Sequence, residues 1–359
     1  MNKRYHNWNF TFRSILICLL LSLFGTSASA QYSQANQLFN SEDVIKIKLV
    51  APFSTITRNA KKNTDPHPAT LILEGAKPET HSISLAARGN SRRRPDICKF
   101  PPLRVKFKEK PAYDSLFSKQ KSLKLVTHCQ QSKYKQKYSL LEYSVYKLYN
   151  VVTPVSLRVR MAEIDYIEEK SGKTITTRFG FFIEDTDDAA ERNGMKEIDL
   201  PKINSSQLTT ESAARYGLFQ YMIGNLDWSM VRGPDGKDCC HNTKLIGATK
   251  NSTSQLKLIP YDFDFSGLVD APYATPPANV KVSSVKIRKY RGLCPHNQAV
   301  TQQAVYFQQN RQRFEAAISN VPGLASKEKS SAIEYMSSFF KILDTPGDLE
   351  RKALRDCRN

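Results

Sequence analysis

The hydrophobic period of this chain changes once, at an acidic break, Glu184-Asp185-Thr186-Asp187-Asp188. Before the break, residues 45–49, 82–85, 103–107, 122–126 and 155–159 alternate apolar and polar side chains, and 178–183 reads as a further strand. Alternation at period two sends the apolar residues to one side, so these runs predict an antiparallel sheet with one wet face. A single helix interrupts them over 136–149, where Leu141, Val145 and Leu148 recur at helical spacing with Glu142 beside that stripe. After the break the pattern turns helical. Thr209 or Thr210 starts a helix that runs through Ile223 and ends at Gly224, and 299–318 and 327–343 are two more amphipathic candidates. The expected fold class is α+β, with a β-rich half (31–184), an acidic hinge and a mainly helical half (185–359).

Residues 1–30 have the composition of a targeting segment. Lys3, Arg4 and Arg13 precede an apolar run over 15–23, and Ala28-Ser29-Ala30 supplies a small-x-small cleavage pattern. The apolar run is short for a bilayer span, so the expectation is an exported protein, periplasmic or secreted, with no stable membrane insertion after cleavage. Cys18 leaves with that segment. The other six cysteines, Cys98, Cys129, Cys239, Cys240, Cys294 and Cys357, make an even count that favours disulfides in an oxidising compartment. Zinc is the rival reading, but no C-x-x-C pair is present. The connectivity stays open, with Cys98 and Cys129 bridged to each other or to Cys294.

Removing Lys3, Arg4 and Arg13 lowers the formal charge only from +19 to +16. Between Arg88 and Lys137 there are fifteen Lys and Arg against Asp96, Glu109 and Asp114. Such a density suits an anionic partner or a solvated basic face. Nucleic acid is disfavoured as that partner, because the chain carries no recognisable binding motif and no aromatic stacking platform.

Two acidic clusters bracket the turn Cys240-His241-Asn242. The first is Asn225-Leu226-Asp227-Trp228; the second, Tyr261-Asp262-Phe263-Asp264-Phe265-Ser266-Gly267, follows the apolar strand-like run 256–260. Hard oxygen donors of this kind suit Mg²⁺, which takes one or two carboxylates together with a nucleotide's phosphates. His241 has two readings, a ligand or base and a hydrogen-bonded structural residue.

The order of these pieces resembles a known family. Arg88-Gly89-Asn90-Ser91 followed by Lys99-Phe100 and Lys106-Phe107, then Gly180-Phe181-Phe182-Ile183-Glu184 with Arg192-Asn193-Gly194, then Asn225-x-Asp227 and Ile259-Pro260-Tyr261-Asp262-x-Asp264, are similar to successive motifs of the CotH family of atypical kinases. Tyr261 stands where that family tends to have Trp. The resemblance covers residues 82–267 and implies a two-lobed protein-kinase-like fold that uses ATP and Mg²⁺, with Mn²⁺ as the alternative ion. It implies Asp227 as the catalytic carboxylate that accepts or orients the substrate hydroxyl. Asp262 would be the principal metal ligand, with Asp264 as a second and Asn242 completing the shell. Lys106 would contact the phosphates, with Lys124 as the competing lysine, Glu142 would pair with that lysine, and Arg88 would neutralise phosphate charge. Glu184 would meet the adenine ribose at the hinge, or be a solvated acidic turn.

Three function classes follow. The first is an exported kinase for a protein or another hydroxyl-bearing substrate. The second is a kinase-like module that holds an anionic partner without catalysis. The third is a phosphohydrolase, because Asp262-x-Asp264-x-Ser266 approximates an Asp-x-Asp-x-Thr nucleophile motif; that motif normally follows the first strand of a parallel sheet.

Overall fold

The structure is a computed structural model and describes residues 1–2, 37–234 and 236–359. The expected targeting segment, apart from Met1 and Asn2, lies outside the described residues. All elements named below belong to one unit, Tyr32–Asn359.

The first half forms β1 (Ile45–Ala51), α1 (Phe53–Asn59), β2 (His67–Leu73), β3 (Glu79–Ala87), β4 (Leu103–Phe107), β5 (Ser122–Val126), α2 (Lys137–Val152), β6 (Val159–Glu168) and β7 (Thr174–Ile183). The alternating runs found their partners, but the sheet is not open. Its seven strands close into a barrel in the order β1-β2-β3-β4-β5-β7-β6, and closure comes from a parallel pairing of β1 with β6. Closure removes the free edges that an open antiparallel sheet would expose. Inside lie Ile47, Leu49, Leu71, Ile83, Leu85, Val105, Leu125 and Ile164, all fully buried.

One alternating run is misplaced. Residues 155–158 are not a strand, because Pro154 opens a turn whose carbonyls are taken by side chains: Asn150 Nδ2 donates to Leu157 O at 2.8 Å and Arg192 Nη2 to Ser156 O at 2.8 Å. Backbone oxygens satisfied in this way are unavailable to a ladder. The strand begins only at Val159.

The second half contains α3 (Thr186–Arg192), β8 (Lys196–Ile198), α4 (Thr210–Met222), β9 (Thr243–Gly247), β10 (Lys257–Pro260), α5 (Asn297–Gln309), α6 (Arg311–Ser319), α7 (Ser326–Asp344) and α8 (Asp348–Lys352). Gly224, at φ 64°, ends the α4 segment as its sequence requires, and the expected helix over 299–318 is split at Asn310. The short strands form a second, antiparallel sheet in the order β10-β9-β8.

The two halves share a core. Val126 and Phe181 of the barrel pack in one cluster with Leu148 of α2, Phe219 of α4, Phe263, and Phe307 of α5. The acidic break is therefore not a solvated hinge. Asp185 caps α3, its carboxylate accepting from Thr186 N at 2.7 Å, while Glu184 faces inward. The fold class is mixed α and β, a closed barrel joined to a mainly helical half. Among the described residues, no helix is long and apolar enough to cross a membrane.

Candidate metal and catalytic centre

α2 delivers Glu142 into the molecule because nearly all of its central face is apolar and enclosed, which leaves this carboxylate only 1 % exposed. From the other side comes the turn after β10. Asp262 adopts φ 61°, an unusual value for a residue with a side chain, and its N–H donates to Tyr146 Oη at 3.1 Å. Asp264 follows, buried, with one oxygen accepting from Tyr273 Oη at 3.0 Å. The result is a triad, Glu142, Asp262 and Asp264, in which one ligand oxygen of each lies within 4.8 Å of the others.

Arg92 fills the middle of that triad. It sits on the 3₁₀ turn Ser91–Arg93 that continues the Arg88-Gly89-Asn90-Ser91 stretch. Its Nη1 donates to Glu142 at 2.7 Å, its Nη2 to Asp262 at 3.0 Å, and its Nε lies 3.3 Å from Asp264. Burial raises the Glu142 carboxyl and pushes Asp264 up to about 8, while Arg92 pulls both the other way and the neighbouring carboxylates add to the rise. Only Asp262 reaches solvent, with its side chain 44 % exposed. The expected partner of Glu142 was Lys106; the structure gives that role to Arg92. Lys106 lies on the outer, exposed side of β4, because it alternates with the inward Val105 and Phe107.

The competing lysine, Lys124, stands on that same outer face but is more enclosed, beside Arg104 and Arg88. Arg104 and Lys124 are paired across β4 and β5, and Arg88 leaves the end of β3 beside them. Burial lowers Lys124, Asp185 opposes that, and Arg88, Arg104 and Lys244 add to it as nearby cations. Arg88 is likewise lowered by burial and feels Asp262 as its main opposite charge. A row of three cations thus runs from the barrel toward Asp262. Glu184 takes no part. Both of its oxygens are held by Arg192, at 3.1 and 2.9 Å, and Arg158 N donates to one of them at 2.9 Å, so the ribose role is not open to it.

Asp227 lies on the loop after α4. Asn225 Oδ1 accepts from Asp227 N at 3.0 Å, and Asn242, at φ 50° just before β9, donates through Nδ2 to Asp227 Oδ2 at 3.0 Å and to Asp227 O at 2.7 Å. His241 Nε2 meets Asp227 Oδ1 at 2.7 Å. This hydrogen bond raises the His241 pKa, burial opposes it, and the charges of Asp227 and Asp262 add to the rise. Asn242 therefore fixes Asp227 and is not among the triad. It remains adjacent, since Tyr261 N donates to Asn242 O at 3.1 Å next to Asp262.

Arg92, Tyr273, Tyr146 and the His241–Asp227 pair were not singled out as a unit from sequence. The signal for Arg92 was present in the run Arg92-Arg93-Arg94, but composition alone does not say which of three arginines turns inward. Among the described residues the cysteines lie in pairs at bonding distance, Cys98 with Cys129, Cys239 with Cys240 and Cys294 with Cys357, and none is grouped with the triad. No protein-family model matches the chain, and no curated protein matches it.

Proposed function

We propose that this chain is an exported, CotH-like phosphotransferase that uses ATP with Mg²⁺ or Mn²⁺ on a hydroxyl-bearing substrate. One observation carries the reading: two separate acidic groupings, a buried carboxylate triad and an Asp227 held by Asn242 and His241, meet through the Asn242–Tyr261 link. Phosphoryl transfer asks for that division, because one grouping must hold the ion on the phosphates while another orients the attacking hydroxyl. The triad supplies only hard oxygen donors, crowded closely enough for a small octahedral ion, so Glu142, Asp262 and Asp264 are the residues that would hold it. A bound ion would neutralise charge on the transferring phosphate. Asp227 accepts the hydroxyl proton, and the row Arg88, Arg104 and Lys124 offers cations to the phosphates. In the two-lobed, kinase-like reading, the barrel with α2 is the N-terminal lobe and the helical half the C-terminal one.

The test is a thermal titration of the protein with ATP, with and without Mg²⁺ or Mn²⁺. A ligand at about 100 times its Kd should stabilise the fold by roughly 2.7 kcal/mol. Asp262→Ala should abolish the metal-dependent part, whereas Asp227→Ala should keep it and lose transfer. The second reading, a non-catalytic module for an anionic partner, draws on Arg92, whose guanidinium contacts all three carboxylates of the triad. It predicts no metal-dependent shift. The phosphohydrolase reading is weakest, since Asp262 follows a strand of an antiparallel sheet rather than the first strand of a parallel one.

A further inference from the structure

Beside Asp227 opens a pocket of about 560 Å³, whose walls include His241, Trp228, Arg232, Arg291 and Arg358. The triad is not part of it. Its charge is unusual for a carboxylate neighbourhood. Arg291 is only 8 % exposed, and its Nη1 donates to Leu226 O. Arg358 donates through Nε to Arg291 O at 2.9 Å, which brings the two guanidinium groups to the same indole, 5.7 and 5.4 Å from the Trp228 ring centre. Among the described residues neither arginine has an ion-pair partner, and Arg358 Nη2 is buried without any hydrogen-bond partner. Burial and the charge of Arg358 pull Arg291 down to about 10, with Asp227 opposing.

Two crowded guanidinium groups with an unused buried donor are costly to keep unless something anionic meets them. Their planar forks suit a carboxylate or a phosphate, which accept two parallel hydrogen bonds. A pocket of this size is typical of small-molecule sites. We infer that it seats the anionic group of a small hydroxyl-bearing acceptor, with Arg291 and Arg358 as its ligands and Arg232 at the rim. The acceptor assignment rests on the phosphotransferase reading, because it is Asp227 that would face the acceptor's hydroxyl. The anion seat itself stands on the arginines alone.

The experiment uses the full chain, with inorganic phosphate, glycerate and uncharged glycerol as probes at constant ionic strength, read by thermal shift. Phosphate and glycerate should give saturable shifts and glycerol none. Arg358→Gln should weaken phosphate at least tenfold, and the exposed Arg232→Gln by a smaller factor. Asp227→Asn should tighten phosphate binding by removing a like charge from the same pocket, a gain that unfolding or general damage would not produce. Absence of saturation, or saturation unchanged in both arginine variants and in Asp227→Asn, overturns the seat. The ATP titration on the same samples separates the two ideas. A metal-dependent ATP shift without anion binding removes only the seat, and anion binding without an ATP shift removes the phosphotransferase assignment while leaving the seat.

Discussion

Arg92 decides what the acidic triad is. Its guanidinium touches all three carboxylates, and two of the three have less than a twentieth of their side chain exposed. Removing one partner of a buried charged group typically costs about 3–5 kcal/mol, since the remaining charges lose their compensation without regaining water. Arg92→Met should therefore lower stability by that order in a chelator, measured by urea denaturation. If the triad takes divalent ions, millimolar Mg²⁺ or Mn²⁺ should restore much of the loss in this variant, and an absence of rescue would remove the triad as a metal site. His241 offers a second check. Its folded pKa lies above the ordinary value of 6.5, so the pair with Asp227 contributes fully below about 6.5 and is lost as pH rises through the raised pKa. His241→Gln should thus destabilise the protein more at pH 5.5 than at pH 9. Asp262 and Asp264 were legible as neighbouring acidic ligands, but Glu142 was expected to pair with a lysine and Asn242 to complete the shell, whereas the structure groups Glu142 with the two aspartates and leaves Asn242 on Asp227. The cationic partners were not legible, because Lys106 and Lys124 project from the same outer face of β4 and β5 and differ in how far along the pair they stand, while Arg92 is turned inward by a 3₁₀ turn that no strand pattern announces.

At the scale of elements, alternation told strand from helix for most strands with one covered face, although β2 alternates in the same way and was not among the predicted strands. Residues 103–107 and 122–126 are β4 and β5 as expected, and α2, α4 and α7 lie within a few residues of their predicted spans. It failed at β6, whose first four residues are all buried because the barrel lies under one face and α2 over the other. A strand covered on both faces has no alternation to read. Closure of the barrel was likewise invisible, since the parallel β1–β6 pairing joins segments over a hundred residues apart. The sealed interior has a measurable consequence at His128, which is 3 % exposed and packs against Phe100 at 4.6 Å and Tyr166 at 5.3 Å. Burial, helped by the charge of Arg178, pulls its pKa down to about 3. The folded state thus holds it neutral while the unfolded chain takes up a proton below about 6.5, so stability falls as pH drops, by up to about 1.4 kcal/mol per pH unit from this group. His128→Phe should flatten the stability curve between pH 6 and 4, and an unchanged acid slope would contradict the burial argument.

Across the whole molecule, the last residues return to the centre from which the helical half departs. Leu293 bridges Arg358 in parallel, Cys294 N donates to Arg358 O at 2.9 Å, and Arg358 N donates to Gly292 O at 2.8 Å. Cys294 and Cys357 lie together at this seam, 63 residues apart in sequence, with α5 to α8 between them. A cross-link of that span restricts the unfolded chain by about 4 kcal/mol on the loop-entropy estimate. It also fixes Arg358 beside Arg291 and Trp228, on the wall of the Asp227 pocket. Cys98 and Cys129, by contrast, tie a loop of the barrel far from that wall in sequence. The double substitutions Cys294→Ser/Cys357→Ser and Cys98→Ser/Cys129→Ser should therefore both lower the urea midpoint. Only the first should also weaken the phosphate response, since it alone frees Arg358. Non-reducing peptide mapping of the unaltered protein should recover both pairings. Free thiols at Cys294 and Cys357, or a phosphate response untouched by their loss, would mean that the seam is held by its backbone hydrogen bonds and that the helical half does not depend on a covalent tie to the wall of the Asp227 pocket.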